Sequence, residues 1–238
     1  MPSDDMVERI LIVTAHPDDV DFGSAGSVAR WTDAGVEVAY CICTNGEAGG
    51  FDASVPRSTM AEIRQAEQRA AAKVVGVTDV TFLGYPDGRM VPSIELRRDI
   101  SRVIRRVRPQ RVVGQSPARN FERMYASHPD HLAAGEATMD AVYPDARNEF
   151  AHPELMGEGL APWTVPEMYL ATAGTADVFV DITETFDRKL DALRCHVTQM
   201  TDVEGLDARI RGWNAANAQL GGLPEGTLAE TYLRVDTE

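Results

Sequence analysis

RILIVTAHPDD, residues 9–19, is the stretch that decides the fold of this chain. Its first six residues are mostly apolar and β-branched, which is typical of a strand buried on both faces of a parallel sheet. Pro17 disfavours helical geometry at His16 and keeps that residue extended. We therefore expect His16 and Asp19 to point from the end of a strand into one crevice, with Asp18 aimed differently from its neighbour.

Short apolar runs and longer amphipathic stretches alternate through the rest of the chain. This alternation predicts an α/β fold, doubly wound, with a mostly parallel sheet flanked by helices. The loops that follow the strands should carry the function, because ligands of such sheets bind beyond the carboxyl ends of the strands. The predicted strands are residues 9–15, 36–44, 79–84, 111–115, 167–172 and 177–182, and the predicted helices are 23–34, 58–75, 93–107, 130–142, 183–199 and 203–220.

The length of 238 residues is expected to form one domain, residues 1–238. Within it, residues 144–166 contain four prolines and two glycines. We interpret them as a long surface excursion that serves as a lid or a substrate rim.

The charge of the chain excludes several classes of partner. There are 37 acidic and 23 basic residues, a net charge of -14, which is the wrong sign for binding nucleic acid or anionic lipid. No stretch approaches the roughly 20 apolar residues that span a bilayer. Three cysteines without metal-binding or paired spacing, together with an acidic start, favour a cytoplasmic protein with reduced thiols.

A second polar cluster, Ser127-His128-Pro129-Asp130-His131, lies far along the chain. Ser127 has the position of a helix N-cap, with Asp130 three residues later as in a capping box. Helical spacing places His128 and His131 near each other, so His131 can bind a metal while His128 faces a reacting carbonyl oxygen. Asp130 is suited to orient an imidazole through its second ring nitrogen.

Together the two clusters predict a divided metal site. Two histidines and one aspartate suit Zn²⁺ and leave one coordination position open. Zinc lowers the pKa of bound water to about 7 and polarises a carbonyl. Asp18 is then available as a general base, and His128 as an oxyanion stabiliser or as the acid that protonates a leaving amine.

These motifs, in this order, resemble the LmbE-like (PIG-L) de-N-acetylase superfamily. The resemblance covers roughly residues 9–199, and residues 200–238 are less diagnostic. Besides AHPDD and HPDH, it rests on TNGEAGG (44–50), IRQAEQ (63–68), GYPDGR (84–89) and Asp181-Ile182-Thr183.

The resemblance implies a Rossmann-like fold and a zinc-dependent hydrolase that removes acetyl groups from N-acetylglucosamine-type sugars or glycoconjugates. It also implies a small-molecule partner, and related proteins are often homo-oligomers. By motif position the zinc ligands would be His16, Asp19 and His131, the base Asp18, the oxyanion-stabilising or acid residue His128, and the substrate-binding residues Arg64 and Asp87.

Several alternatives stay open at this stage. A mycothiol-conjugate-type amidase would use the same chemistry on another amide, and a non-catalytic carbohydrate-binding Rossmann-like module would need no metal. Arg64 could belong to a solvated helix face, and Asp87 to an ordinary Pro-Asp-Gly turn. Many family members continue AHPDD with a glutamate, whereas this chain has Val20 and then Asp21.

Overall fold

The computed structural model describes residues 7–121, 124–171, 174–200, 202 and 204–237. Thr172 and Val203, the predicted end of one strand and start of one helix, lie outside these ranges. Within them, no helix is long and apolar enough to cross a membrane. The strands are β1 (Arg9–Thr14), β2 (Glu37–Thr44), β3 (Asp79–Tyr85), β4 (Arg111–Gln115), β5 (Glu167–Ala171), β6 (Val178–Asp181) and β7 (Ala229–Asp236). The helices are α1 (Asp19–Asp33), α2 (Arg57–Val74), α3 (Ile94–Val107), α4 (Pro129–Asp140), α5 (Pro153–Gly157), α6 (Phe186–Arg194) and α7 (Leu206–Leu220).

The strands form one sheet in the order β3-β2-β1-β4-β5-β7-β6. Strands β1 to β5 run parallel to one another, and β7 lies antiparallel between β5 and β6. The predicted α/β fold with a mostly parallel sheet is confirmed.

The central strand β1 is buried on both faces. Leu11 and Val13 pack with residues of α3 and α4, whereas Ile10 and Ile12 pack with residues of α1 and α2. Burying each such side chain contributes about 1.5–3 kcal/mol. This two-sided packing explains why β1 is apolar at successive positions instead of alternating with polar residues.

The direction of the chain across the sheet reverses at β1. β2 and β3 lie on one side of it, and β4 starts the other side. The loops that follow β1 and β4 therefore diverge and leave a crevice at the carboxyl ends of these two strands. Both polar clusters lie in the segments that border this crevice.

Strand β7 was not predicted from the sequence. It carries Glu230, which is buried and forms an ion pair with Lys189 of α6 (Oε1–Nζ 2.6 Å). Arg234 of the same strand contacts the buried Glu167 at 2.9 Å. Charged side chains on the inner positions conceal the apolar pattern by which buried strands are recognised.

The excursion of residues 144–166 is anchored to α3. Arg105 donates hydrogen bonds to the backbone carbonyls of Asp145, Ala146 and Asn148. The indole N–H of Trp163 donates to the carbonyl of Pro109, just before β4 begins. This contact lies at the amino end of the strands, which is the wrong edge of the sheet for a lid over the crevice.

The predicted helix 183–199 is in fact two elements. Helix α6 ends at Arg194, and a 3₁₀ turn covers Val197–Gln199. The break lies at His196, whose fully buried side chain contacts Asp21 of α1 (Nε2–Oδ2 2.7 Å).

Candidate active site

Three predicted metal ligands meet at the crevice. His16 Nδ1 and His131 Nε2 lie 3.2 Å apart. Asp19 lies 3.0 Å from His131 Nε2 through Oδ1 and 3.4 Å from His16 Nδ1 through Oδ2. His16 lies in the short connection after β1, Asp19 is the first residue of α1, and the first turn of α4 supplies His131.

The spacing and the charge of these groups both fit a bound metal ion. A zinc ion with bonds of about 2.0–2.2 Å in tetrahedral geometry holds its ligand atoms about 3.3–3.5 Å apart, close to the separations found here. Three carboxylates, from Asp19, Asp87 and Asp130, surround the single imidazole of His16 within 3.4 Å. Such a cluster of buried carboxylates favours a cation beside them, and a bound metal ion would supply that positive charge.

His16 is oriented through its second ring nitrogen. Its Nε2 lies 3.1 Å from both Asp130 Oδ2 and Asp87 Oδ1. Asp130 is itself held by the backbone N–H groups of Gly88 (2.7 Å) and Met90 (3.1 Å). Burial alone would lower the pKa of His16, but the three carboxylates outweigh it and raise this pKa to about 12. Carboxylates on Nε2 leave Nδ1 to face the metal position, as is usual for metal-binding histidines.

Asp19 is held by a residue that the sequence analysis missed. Gln115, the last residue of β4, accepts the backbone N–H of Ala15 (2.9 Å) and donates to Asp19 Oδ2 (3.2 Å). The backbone N–H of His16 donates to the same oxygen (2.8 Å). Burial opposes ionisation of Asp19, but His131 and His16 hold its pKa well below the usual value. Gln115 could have been recognised in the sequence because it is a polar residue at the end of the apolar strand β4, where side chains reach the crevice.

Asp18 differs from Asp19 in backbone and environment. It has φ 89° and is the N-cap of α1, yet its side chain makes no capping hydrogen bond to that helix. The carboxylate instead lies 3.2 Å from Arg64 Nη2. Burial and the charge of Asp19 raise the pKa of Asp18 to about 7, against the opposing charge of Arg64. Asp18 therefore caps α1 by its backbone position alone, and its carboxylate makes no bond to that helix.

His128, not Ser127, is the N-cap of α4. Its Nδ1 accepts the backbone N–H of Asp130 (3.2 Å), while the Ser127 hydroxyl accepts the N–H of Asn120 (2.7 Å). The predicted cap was one residue early because Pro129 takes the first helical position. Burial and the charges of His16 and His131 lower the pKa of His128. Because Nδ1 accepts a backbone N–H, a neutral His128 carries its proton on Nε2.

The exposed ring of His128 lies close to the metal position. Its centroid is 4.9 Å from that of His16 and 5.2 Å from that of His131. The site thus places the imidazole of His128, the carboxylate of Asp18 and the three predicted metal ligands in one crevice. This is a combination suited to hydrolysis of a polar bond.

Arg64 is buried and not part of a solvated helix face. It donates to the carbonyls of Gly46 (2.8 Å) and Pro17 (2.6 Å) as well as to Asp18. A Cβ at Gly46 or Gly49 would collide with its guanidinium, which explains the glycines of the loop after β2. Asp87 accepts the N–H of Ala48 (3.0 Å) besides contacting His16. The substrate-binding roles of Arg64 and Asp87 remain predictions.

Val20 and Asp21 occupy different environments at the start of α1. Val20 packs in the apolar core against the sheet. Asp21 is fully buried and receives hydrogen bonds from Gln68 Nε2 (2.9 Å) and His196 Nε2 (2.7 Å). In the first turn of α1, the buried polar contacts are therefore made by Asp21 and not by Val20.

Comparisons with known proteins agree with the resemblance. A family model described as GlcNAc-PI de-N-acetylase (PIG-L) matches residues 11–142. The chain is 31% identical to diacetylchitobiose deacetylase of Thermococcus kodakarensis, over 82% of this chain and 72% of that protein. It is 30% identical to a probable N-acetyl-alpha-D-glucosaminyl L-malate deacetylase 2 of Bacillus cereus, over 89% of this chain and 93% of that protein.

A solved structure gives the same result for the fold. N,N'-diacetylchitobiose deacetylase from Pyrococcus horikoshii, complexed with its inhibitor MPG, has a TM-score of 0.89 and 27% identity to this chain. The match covers 98% of this chain and 85% of the other.

Proposed function

Because this chain belongs to the GlcNAc-PI de-N-acetylase (PIG-L) family, we propose that it is a metal-dependent hydrolase that removes the N-acetyl group from a glucosamine-containing small molecule. One observation carries the proposal. His16 Nδ1 and His131 Nε2 lie 3.2 Å apart, and the Asp19 carboxylate reaches the first through Oδ2 (3.4 Å) and the second through Oδ1 (3.0 Å). His128 could also reach an ion held by the two histidines, but we assign it and Asp18 to other roles.

His16, Asp19 and His131 would hold the ion, and their nitrogen and oxygen donors favour zinc. When bound, the metal polarises a substrate carbonyl and acidifies water. Asp130 and Asp87 orient His16, and Gln115 orients Asp19. These contacts fix the ligands before the ion arrives and so reduce the entropy lost on binding it.

Asp18 is the proposed general base. Its carboxylate makes no hydrogen bond to the helix that it caps, so it is available to accept a proton from the attacking water. The same group, once protonated, can return the proton to the departing amine. Arg64, at 3.2 Å, limits where the carboxylate can point.

His128 is the proposed oxyanion stabiliser. Its Nδ1 is occupied by the N–H of Asp130, so Nε2 carries the proton and donates to the carbonyl oxygen as negative charge develops there. A neutral donor of this kind has no readily transferred proton. We therefore assign protonation of the amine to Asp18 and not to His128.

The substrate class is inferred from the relatives, whose names specify deacetylation of diacetylchitobiose and of a glucosaminyl malate. We place the activity in the cytoplasm, which agrees with three unpaired cysteines, two of them buried.

The test is a panel of N-acyl amino sugars with release of free amine as the readout. The panel contains N-acetylglucosamine, N,N'-diacetylchitobiose, an N-acetylglucosaminyl malate and an inositol-linked N-acetylglucosamine, each with and without a chelator. We expect metal-dependent release of amine and acetate from at least one acetamide, restored by zinc after chelation.

Two outcomes would support other functions. Hydrolysis of a thiol-conjugate amide without action on any acetamide would favour the amidase alternative. Sugar binding by calorimetry without turnover in metal-loaded protein would favour the carbohydrate-binding module.

A further inference from the structure

The backbone of Asp18 has an unfavourable conformation that needs an explanation. Its φ of 89° and ψ of -28° are positive-φ geometry, which costs a non-glycine residue about 1–3 kcal/mol unless its surroundings impose it. An N-cap aspartate ordinarily has extended backbone, and its carboxylate then accepts an N–H of the first turn. At Asp18 the carboxylate is turned away from α1 and towards Arg64.

Gln68 of α2 is the residue that holds this backbone. Its Oε1 accepts the backbone N–H of Asp18 at 2.7 Å, and its Nε2 donates to Asp21 Oδ2 at 2.9 Å. Asp21 Oδ2 also lies 2.7 Å from His196 Nε2. All three side chains are 0% exposed, so water cannot replace any of these hydrogen bonds.

The orientation of the Gln68 amide follows from its partners. A backbone N–H can only donate, so the oxygen of Gln68 must face Asp18. The NH₂ group then faces Asp21 and needs an acceptor, which the Asp21 carboxylate provides. His196, after α6, packs on the same oxygen and keeps Asp21 in place.

We propose that Gln68, oriented by the Asp21–His196 pair, is a positioning residue that holds Asp18 in its left-handed conformation and thereby keeps the Asp18 carboxylate aimed at the reacting centre instead of capping α1. The proposal rests on the function proposed above for Asp18. The proposal also explains why an acidic residue stands at position 21. A side chain without an acceptor there would leave the NH₂ group of Gln68 unpaired or allow the amide to reverse.

The first test compares two glutamines that each accept one backbone N–H. Gln68→Leu removes the hydrogen bond to Asp18, and Gln110→Leu removes the equivalent bond to the N–H of Arg9 (2.8 Å) at the amino end of the sheet. Both variants should lose stability. Gln68→Leu alone should lower kcat about 10- to 100-fold, with KM within about threefold and zinc affinity unchanged.

A second readout needs neither substrate nor metal. Hydrogen exchange of the Asp18 amide, measured by NMR in metal-free protein, should accelerate at least tenfold in Gln68→Leu and stay unchanged in Gln110→Leu. Wild-type exchange at Asp18, wild-type kcat, or a loss of kcat that follows loss of zinc would each overturn the proposal.

The polarity of the relay is tested by reversing it. Gln68→Glu places two carboxylates against each other and should lower kcat as Gln68→Leu does. In the double variant Gln68→Glu with Asp21→Asn, the new asparagine can donate to Glu at position 68 and to neutral His196. We expect this variant to recover most of the lost kcat and the Asp18 amide protection, and a double variant no better than Gln68→Glu would contradict the relay.

The two proposals fail separately. If wild-type protein releases no amine from any N-acyl sugar, the proposed function is wrong, while the exchange rate of the Asp18 amide still decides whether Gln68 holds that backbone. If wild-type protein is active and Gln68→Leu is equally active, the positioning role is wrong and the proposed function stands.

Discussion

Replacing Asp130 with asparagine tests how the metal ligand His16 is oriented. Asp130 Oδ2 contacts His16 Nε2 at 3.1 Å and accepts the backbone N–H of Gly88 at 2.7 Å. Its other oxygen accepts the N–H of Met90 at 3.1 Å. The side chain is fully buried, so all of these bonds are made without water.

The size of the effect follows from counting acceptors. Asparagine has one acceptor oxygen where aspartate has two, so the Met90 N–H, or the pair of donors at Oδ2, loses its partner. An unpaired buried donor costs about 1–3 kcal/mol in the free energy of unfolding. Loosening a group that orients a ligating histidine typically weakens metal binding about 10- to 100-fold.

The assay measures zinc affinity by competition with a chromophoric chelator, alongside urea unfolding of metal-free protein. Asp145→Asn is the matched control, because Asp145 also contacts a histidine Nε2 (His152, 3.0 Å) and accepts two hydrogen bonds from Arg97. Both variants should lose stability, but only Asp130→Asn should lose zinc affinity. Equal zinc affinity in Asp130→Asn and wild-type protein would refute the reasoning.

Four further predictions concern the site and the fold. Asp18→Asn should keep zinc, measured by elemental analysis, and lose turnover by about 10²- to 10⁴-fold; a wild-type rate would exclude Asp18 as the base. His131→Ala should lose zinc, and full occupancy after dialysis would contradict its role as a ligand. Lys189→Met leaves Glu230 without its cationic partner and should lower the free energy of unfolding by about 3–5 kcal/mol, which is a fall in Tm of roughly 6–20 °C. A fall in Tm of less than about 3 °C would show that the pair is not buried as described. Burial raises the pKa of Asp99, but hydrogen bonds from its arginine and tyrosine neighbours lower it overall. The ionised Asp99 side chain therefore stabilises the folded protein above its unfolded pKa of about 3.9. This stabilisation is lost as pH falls through the lower folded pKa. The wild-type protein should thus have a higher Tm than Asp99→Asn at pH 6, and this difference should become smaller below about pH 4. A Tm difference that is constant with pH would argue against ionisation of Asp99 as its cause.

Patterns of neighbouring residues predicted the features of this molecule that depend on short stretches of sequence. β1 is recognisable because both of its faces are buried, so its composition alone reveals a central parallel strand. The crevice between β1 and β4 follows from the general topology of such sheets. His16 and His131 could be expected there because each lies at the end of an element that borders it.

Contacts between distant segments could not be predicted in the same way. Gln68 and Gln115 look like ordinary polar residues in the sequence, and their importance comes only from the backbone N–H groups that they meet in the fold. Strand β7 escaped because its charged residues are neutralised by partners far along the chain. The cap of α4 was misplaced by one residue because a histidine ring nitrogen took the place of a serine hydroxyl.

The position of β7 has a consequence for how the chain acquires its structure during synthesis. β5 and β6 both leave the ribosome before β7. They are not adjacent in the sheet, because β7 lies between them. Until β7 emerges, β5 exposes an open hydrogen-bonding edge, β6 has no strand to pair with, and Lys189 lacks Glu230. The nascent protein therefore passes through a stage with an unpaired sheet edge, which is the kind of surface that chaperones protect from aggregation.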